Sequence, residues 1–330
     1  MDCVSERNAP VLPENLAKVP EIAGVEGVED CSAVIDGVRW RYLHAGSGPA
    51  LLVVHGFMGY SFSWRFVMKG LAEHYSVYAV DLPGCGFSQR CTRLPGTLAS
   101  DAESLLRLMD HFGMETCDIL GTSRGGGLAI ALAGLLAERG MPQRMRRVVL
   151  SAPINPWSRI GLGRIRLLRT RGGRTFALQV VPRMPVILRK FFRDLYFEPD
   201  SIPPDSFAGY RAGLEPPGSF LHLWNIARSW TNDLQRIGDV LPRVETVPAL
   251  LLWGDHDRAV DPASAGELHR RWKNSAVVMM ARIGHMPYEE APAEFNRIVL
   301  DFLLRGRPLT AQERETPGEM AHTSGERGST

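Results

Sequence analysis

A chain of 330 residues with 45% apolar and 22% charged side chains has the composition of a soluble globular protein, long enough for one domain with an insertion or for two. A formal net charge of +2 points to no partner, and five cysteines (Cys3, Cys31, Cys85, Cys91, Cys117) without a Cys-x-x-Cys pair or a Cys/His cluster suggest neither a disulfide framework nor a zinc site. No apolar run is long enough to span a bilayer, and the first twenty residues lack the apolar core of a signal peptide, so the expected compartment is the cytoplasm.

Residues 1–31 read as a polar lead-in. From residue 32, "SAVIDGVRWRYLHAGSG" holds two short β-rich runs around Asp36-Gly37, the signal of a hairpin. "ALLVVHG" (50–56) is a continuous apolar run ending in glycine, as expected of a strand covered on both faces. Further runs of that kind are "SVYAVDL" (76–82), "CDILGTS" (117–123), "RRVVLSAP" (146–153), "PALLLWGD" (248–255) and "SAVVMMARIGH" (275–285). Segments of helical length lie at 61–74, 98–112, 125–139, 262–272 and 291–304. Alternating buried strands and helices predict an α/β fold with a mostly parallel sheet covered on both sides. Residues 154–245 break the rhythm: they hold no clear buried strand and read as a helical cap inserted into a core of 32–153 and 246–304. The tail, 305–330, is polar and reads as disordered.

"DILGTSRGGG" places Ser123 in a Gly-x-Ser-x-Gly pattern between a buried strand and a helix. A sharp strand-to-helix turn strains the serine backbone and leaves no room for side chains two residues to either side, hence the glycines. The competing reading is a serine N-cap followed by flexible glycines. A serine hydroxyl is a weak nucleophile near neutral pH and needs a base and an orienting acid. His285 fits the base, because it follows the last predicted strand. His44, His74, His111, His222, His269 and His322 fall in hairpin, helix, cap or tail segments and read as surface residues. His55 ends a strand but precedes a glycine in a loop suited to another role, and His256 lies too close to the acid loop. "LLLWGDHDRAVDP" offers Asp255, Asp257 and Asp261 as the acid. Asp255 can fix the turn and Asp261 can cap the helix opening at Pro262. Asp257 is assigned, with Asp255 in reserve. The oxyanion of an acyl intermediate needs donors, and the amides of Arg124 and Phe57 are placed for that role.

These residues carry a resemblance. "HGF" (55–57), "DLPGCGFS" (81–88), "GTSRGG" (121–126), "WGDHDRAVDP" (253–262) and "GHMPYEEAPAEF" (284–295) resemble, in order and interval, the α/β-hydrolase superfamily across residues 32–304. The resemblance implies an eight-stranded sheet with a lid between strands six and seven. It also supports Asp257, which stands three residues after Gly254, and it favours the nucleophile reading of Ser123. A serine at the elbow excludes the branches that use aspartate there, the haloalkane dehalogenases and epoxide hydrolases. It points to acyl chemistry: a serine esterase or lipase-like enzyme, a C–C bond hydrolase, or an acyltransferase, with a small-molecule receptor as the non-enzymatic alternative. C–C hydrolases of this fold commonly carry tryptophan after the histidine, where this chain has Met286. No metal or organic cofactor is expected.

Specificity is expected to lie in Met58, Met286 and Trp224, the last on the helical run "FLHLWNIARSW", which together suggest a hydrophobic acyl substrate. Arg124 either braces the elbow or helps hold an anionic group. From Arg159 to Arg193 there are ten Lys/Arg and no Asp/Glu, interleaved with apolar residues. Such a stretch can lie on an anionic membrane, attract an anionic substrate, or merely solvate the outside of a greasy lid. No nucleic-acid partner is expected, since no binding module accompanies the charge. Oligomeric state stays open.

Overall fold

The computed structural model describes residues 27–91 and 94–306. One sheet contains β1 (Val28–Ile35), β2 (Val38–Ala45), β3 (Ala50–Val54), β4 (Ser76–Asp81), β5 (Cys117–Thr122), β6 (Met145–Ser151), β7 (Ala249–Gly254) and β8 (Ser275–Met280). Its spatial order is β1-β2-β4-β3-β5-β6-β7-β8. The β1–β2 and β2–β4 pairs are antiparallel, and the other neighbours run parallel. The expected polar lead-in falls mostly outside the described residues, yet β1 already begins at Val28, inside the stretch assigned to it. The expected disordered tail lies outside the described residues from residue 307 onward.

Why these runs are strands is visible in their burial. Every residue of β5 and β7 is buried, as a central parallel strand between two layers requires. Alternate side chains part to opposite faces. Leu52, Val54, Ile119, Val148 and Leu251 enter one core cluster, and Leu51, Val53, Leu120, Val149 and Leu252 enter the other.

The flanking helices are α1 (Met68–Ala72), α2 (Leu98–His111), α3 (Arg124–Glu138), α4 (Leu162–Leu168), α5 (Arg171–Thr175), α6 (Pro185–Arg193), α7 (Ser206–Ala212), α8 (Ser219–Val244), α9 (Ser264–Arg271), α10 (Pro287–Glu290) and α11 (Pro292–Arg305). The helix expected over 61–74 is instead a 3-10 turn at Ser61–Trp64 followed by the short α1. Trp64, Val67, Met68 and Leu71 keep helical spacing, but Ser61, Phe62, Ser63 and Trp64 are all buried in succession, so the first turn has no solvent face and is not amphipathic. The chain from 154 to 245, between β6 and β7, holds α4 to α8 and no strand. The long α8 has two partners. Near its start, Leu223 and Ile226 pack with Leu188 and Leu214 of the inserted segment; farther on, Leu234, Ile237, Leu241 and Val244 join the core. Among the described residues no helix is long and apolar enough to cross a membrane.

Candidate active site

The turn between β5 and α3 holds Ser123 at φ +52° and ψ −117°, a conformation that costs a non-glycine residue about 1–3 kcal/mol. Its neighbours must be glycine. A Cβ on Gly121 would meet the Gly125 carbonyl oxygen at 2.5 Å, and one on Gly125 would strike the Val54 and His55 carbonyls. Backbone bonds hold the turn: Ser123 N–H donates to Ser151 O at 2.8 Å, and Ile154 N–H donates to Ser123 O at 3.0 Å. Ser123 occupies the N-cap position of α3, but its side chain makes no capping hydrogen bond. The hydroxyl is thus not spent on the helix, which removes the main support for the capping reading.

Asp257, in the loop after β7, and His285, in the loop after β8, are brought together. His285 Nδ1 lies 2.7 Å from Asp257 Oδ2, and both side chains are buried. The other carboxylate oxygen, Oδ1, accepts from the amides of Ala259 (2.7 Å) and Val260 (2.9 Å). An ionised carboxylate facing Nδ1 keeps the proton there and leaves Nε2 free to accept one. Asp255 is engaged elsewhere: it accepts from the His256 ring at 2.7 Å and from Ile283 N–H at 3.3 Å. Asp261 accepts from Ala263 N–H at 3.0 Å, just ahead of α9.

Ser123 and His285 line one pocket, together with Gly56, Phe57, Met58 and Met286. The space not filled by atoms there is about 610 Å³, counting its opening to solvent. The remaining wall is mostly apolar and comes largely from the inserted segment, through Leu188, Phe191 and Phe192 of α6 and Phe207 and Tyr210 of α7. Neither the Phe57 nor the Arg124 amide meets an acceptor among the described residues. His55 braces the Phe57 loop. Its Nε2 accepts from Leu82 N–H at 3.2 Å, so its Nδ1 carries the proton that reaches Gly56 O at 2.9 Å. Burial pushes the His55 pKa down and favours this neutral form.

Three expectations are settled by the geometry. The Arg124 side chain turns away from the pocket, donating to Asp101 Oδ2 (2.7 Å) and Gly96 O (3.0 Å), so it braces the elbow from the α2 side. Trp224 does not line the pocket. Its indole N–H donates to Leu168 O at 3.0 Å, and its ring carries the guanidinium groups of Arg174 and Arg228. His222, expected on the surface, is buried, because its ring lies against Gly84 in the loop after β4.

Sequence reasoning missed two carboxylates next to His285. Glu290 accepts from Gly284 N–H (3.0 Å), Met286 N–H (3.2 Å) and Phe197 N–H (2.8 Å), bracketing the histidine in its loop. Its pKa is raised by burial, opposed by those amides. Glu289 is fully buried and takes both oxygens to Arg65, at 2.8 and 2.7 Å. It also accepts from Tyr196 Oη at 2.6 Å and from Tyr210 Oη. Burial first, and then the nearby Glu289 charge, push both tyrosine hydroxyls upward. The one visible signal was the pair of acids in "GHMPYEEAP", which looks like a solvated turn. Among the described residues, no group of three or more His, Cys, Asp or Glu is placed to hold a metal ion.

A family model of the alpha/beta hydrolase fold matches residues 49–292. The chain is 30% identical over 286 residues to the dihydrolipoyllysine-residue acetyltransferase component of the acetoin cleaving system of Cupriavidus necator, covering 83% of this chain and 70% of that one. It is 31% identical over 281 residues to 2-hydroxy-6-oxononadienedioate/2-hydroxy-6-oxononatrienedioate hydrolase 1 of Dechloromonas aromatica, covering 83% and 89%. Among solved structures, the epoxide hydrolase CorEH without ligand matches with a TM-score of 0.72 at 22% identity, covering 85% of this chain and 100% of that one, a likeness of fold alone. With the family model spanning most of the sequence and the sheet order now described, the chain belongs to the alpha/beta hydrolase fold family.

Proposed function

We propose that the protein is a serine hydrolase that cleaves a carboxylic ester, or a related acyl bond, of a hydrophobic small molecule. The observation that carries this reading is the buried 2.7 Å pair of His285 and Asp257, which shares an apolar pocket with the strained, uncapped Ser123. Ser123 attacks the substrate carbonyl while His285 Nε2 takes its proton, and Asp257 stabilises the imidazolium through Nδ1. The amides of Phe57 and Arg124 donate to the oxyanion, and Arg124 sits at the N-terminus of α3, where the helix dipole adds to that stabilisation. The alcohol leaves with the proton from His285. Water then attacks the acyl-enzyme with His285 as base, releasing the acid and restoring the serine. The segment 154–245 serves as the cap, its apolar residues over the pocket selecting a greasy acyl group.

A second reading, C–C bond hydrolysis on the same three residues, is favoured by the 31% identity to the Dechloromonas aromatica hydrolase. Met286 lines the pocket at the position where such enzymes commonly carry tryptophan. The deciding experiment is turnover of p-nitrophenyl esters from acetate to palmitate at about pH 8, with wild type beside Ser123→Ala. The ester reading expects a rate maximum at one chain length and a loss of roughly 10⁴-fold or more in the variant. A folded protein inert toward the whole series would sink it and direct attention to the C–C reading.

A further inference from the structure

Among the described residues nine large apolar side chains are exposed, and five of them, Ile160, Leu167, Phe176, Met184 and Val186, fall within one stretch of the inserted segment. Leu167 and Val186 are 66% and 64% exposed. Between residues 161 and 193 only Gly173, Leu188 and Phe192 are buried. The helices there are one-sided. α6 turns Leu188 and Phe192 toward the protein and sets Val186 outward with Arg189, Lys190 and Arg193. α4 keeps Leu162, Ile165 and Leu168 half-buried at helical spacing and exposes Arg164, Arg166 and Leu167.

Charge sharpens the picture. Ten cations and no acid lie between Arg159 and Arg193. Of these, Lys190 and Arg193 alone form ion pairs among the described residues, with Asp194 at 3.5 Å and Asp200 at 3.2 Å. Leu167 and Val186 thus stand exposed on a segment whose arginines, Arg193 apart, form no ion pair among the described residues. A surface bearing both suits a partner that offers anionic groups above an apolar layer. A second copy of the chain does not meet that requirement, because a two-fold contact would set this cationic face against itself.

We propose that the outer face of residues 159–193 docks on an anionic lipid bilayer, and that the substrate is an acyl ester dissolved in that bilayer. The second half of the proposal rests on the ester-hydrolase reading of Ser123. The docking segment also lines an outer cavity, through Arg174, Leu178 and Pro182, whose space not filled by atoms is about 1060 Å³, counting its opening to solvent. Leu188, Arg211 and Leu214 border both this cavity and the pocket of Ser123, so the two are neighbours across one wall. Because Arg174, Leu178 and Pro182 belong to both the segment and the outer cavity, docking of the segment brings this cavity beside the lipid, with one wall between it and the pocket of Ser123.

The test is co-sedimentation of the full chain with vesicles of phosphatidylcholine alone and of phosphatidylcholine mixed with phosphatidylglycerol. Ser123→Ala serves for binding, so that turnover does not consume lipid. The expected result is pelleting with the anionic vesicles only. Arg164→Gln, Arg166→Gln and Arg171→Gln should each weaken it roughly fivefold. The double variant Leu167→Ser/Val186→Ser should weaken it at unchanged charge. All five positions are exposed and lie off the pocket wall, so an unchanged far-UV circular dichroism spectrum serves as the folding control, and the same substitutions with Ser123 retained should leave turnover of a soluble p-nitrophenyl ester unchanged. Three results would overturn docking: no pelleting at low salt, pelleting indifferent to both sets of variants, or a solution dimer that Leu167→Ser/Val186→Ser dissolves. Binding that depends on charge alone and is matched by DNA would overturn it in favour of a polyanion partner. Vesicle binding without turnover of any ester would leave docking standing and remove the hydrolase reading, whereas ester turnover without vesicle binding would do the reverse.

Discussion

At the scale of single residues, Asp255 and Asp257 show how two like side chains two positions apart come to differ. Both stand in the loop after β7, and both accept hydrogen bonds from backbone and from a histidine. Asp257 is buried and faces His285, whereas Asp255 faces the half-exposed His256 at the turn. A buried charge-assisted bond orients its partner, while an exposed one is weakened by solvent. Asp257→Asn should therefore lower kcat on the preferred ester by roughly 10³–10⁴-fold, because an amide no longer fixes the imidazole with its proton on Nδ1. Asp255→Asn should stay within about tenfold of wild type, a modest loss from a loosened turn. Equal losses in the two variants, measured side by side, would contradict the assignment of roles. In the sequence these two acids were separable only through the turn role open to Asp255 and the spacing from Gly254 that the family resemblance supports. Their partners, Ile283 and His285, come from a different loop.

Elements follow from local pattern wherever burial has one direction. The strands were readable because a central parallel strand must be apolar on both sides, and "ALLLWG" in β7 is. The 61–74 segment was not, because its buried side chains serve several neighbours; the Ser61 hydroxyl, for one, accepts from the Arg41 guanidinium at 2.8 Å. Helix α8 is intermediate. Its amphipathic period was legible, but the period does not say which neighbour each residue meets, so Trp224 turns to Leu168 and the arginines while His222 is buried. Burial foremost, with the positive Arg124 and Arg90 nearby, pushes the His222 pKa down to about 3. The unfolded chain returns it to about 6.5. Between those values the unfolded state binds the extra proton, so stability is complete above about pH 6.5 and declines as pH falls toward 3, by at most about 1.4 kcal/mol per pH unit. Urea unfolding at about pH 7, 6 and 5 should show that decline in wild type. A shallower slope is expected in His222→Gln, with part remaining because His55 is lowered too. An unchanged slope would mean that His222 titrates normally in the fold.

The whole molecule depends on how the inserted segment is joined to the core. Glu289 of α10 collects Arg65 from the turn after β3, Tyr196 from beyond α6 and Tyr210 from α7, so one buried carboxylate ties three separate stretches together beside the pocket. Removing it strands the largely buried Arg65 guanidinium. Glu289→Ala should cost about 3–5 kcal/mol of unfolding free energy and raise KM more than it lowers kcat, since Tyr210 and Phe207 form the pocket wall and not the reacting groups. Denaturant midpoints and ester kinetics on the same preparation check both. A midpoint within about 1 kcal/mol of wild type would mean that the inserted segment is held by apolar packing alone.

The sequence by itself determined the strands, the glycine-bounded elbow at Ser123 and the order Ser123, Asp257, His285, since those depend on backbone sterics, strand period and the fixed positions of loops at one sheet edge. It also determined that residues 154–245 are helical and that 159–193 is basic. Only the tertiary structure decided that Arg124 turns to Asp101, that Trp224 leaves the pocket to α6 and α7, and that Glu289 and Glu290 are structural acids beside the histidine. Each of these depends on a partner many residues away. A local pattern fixes which face of an element is buried, but the identity of the group it meets there is chosen by packing of the whole chain.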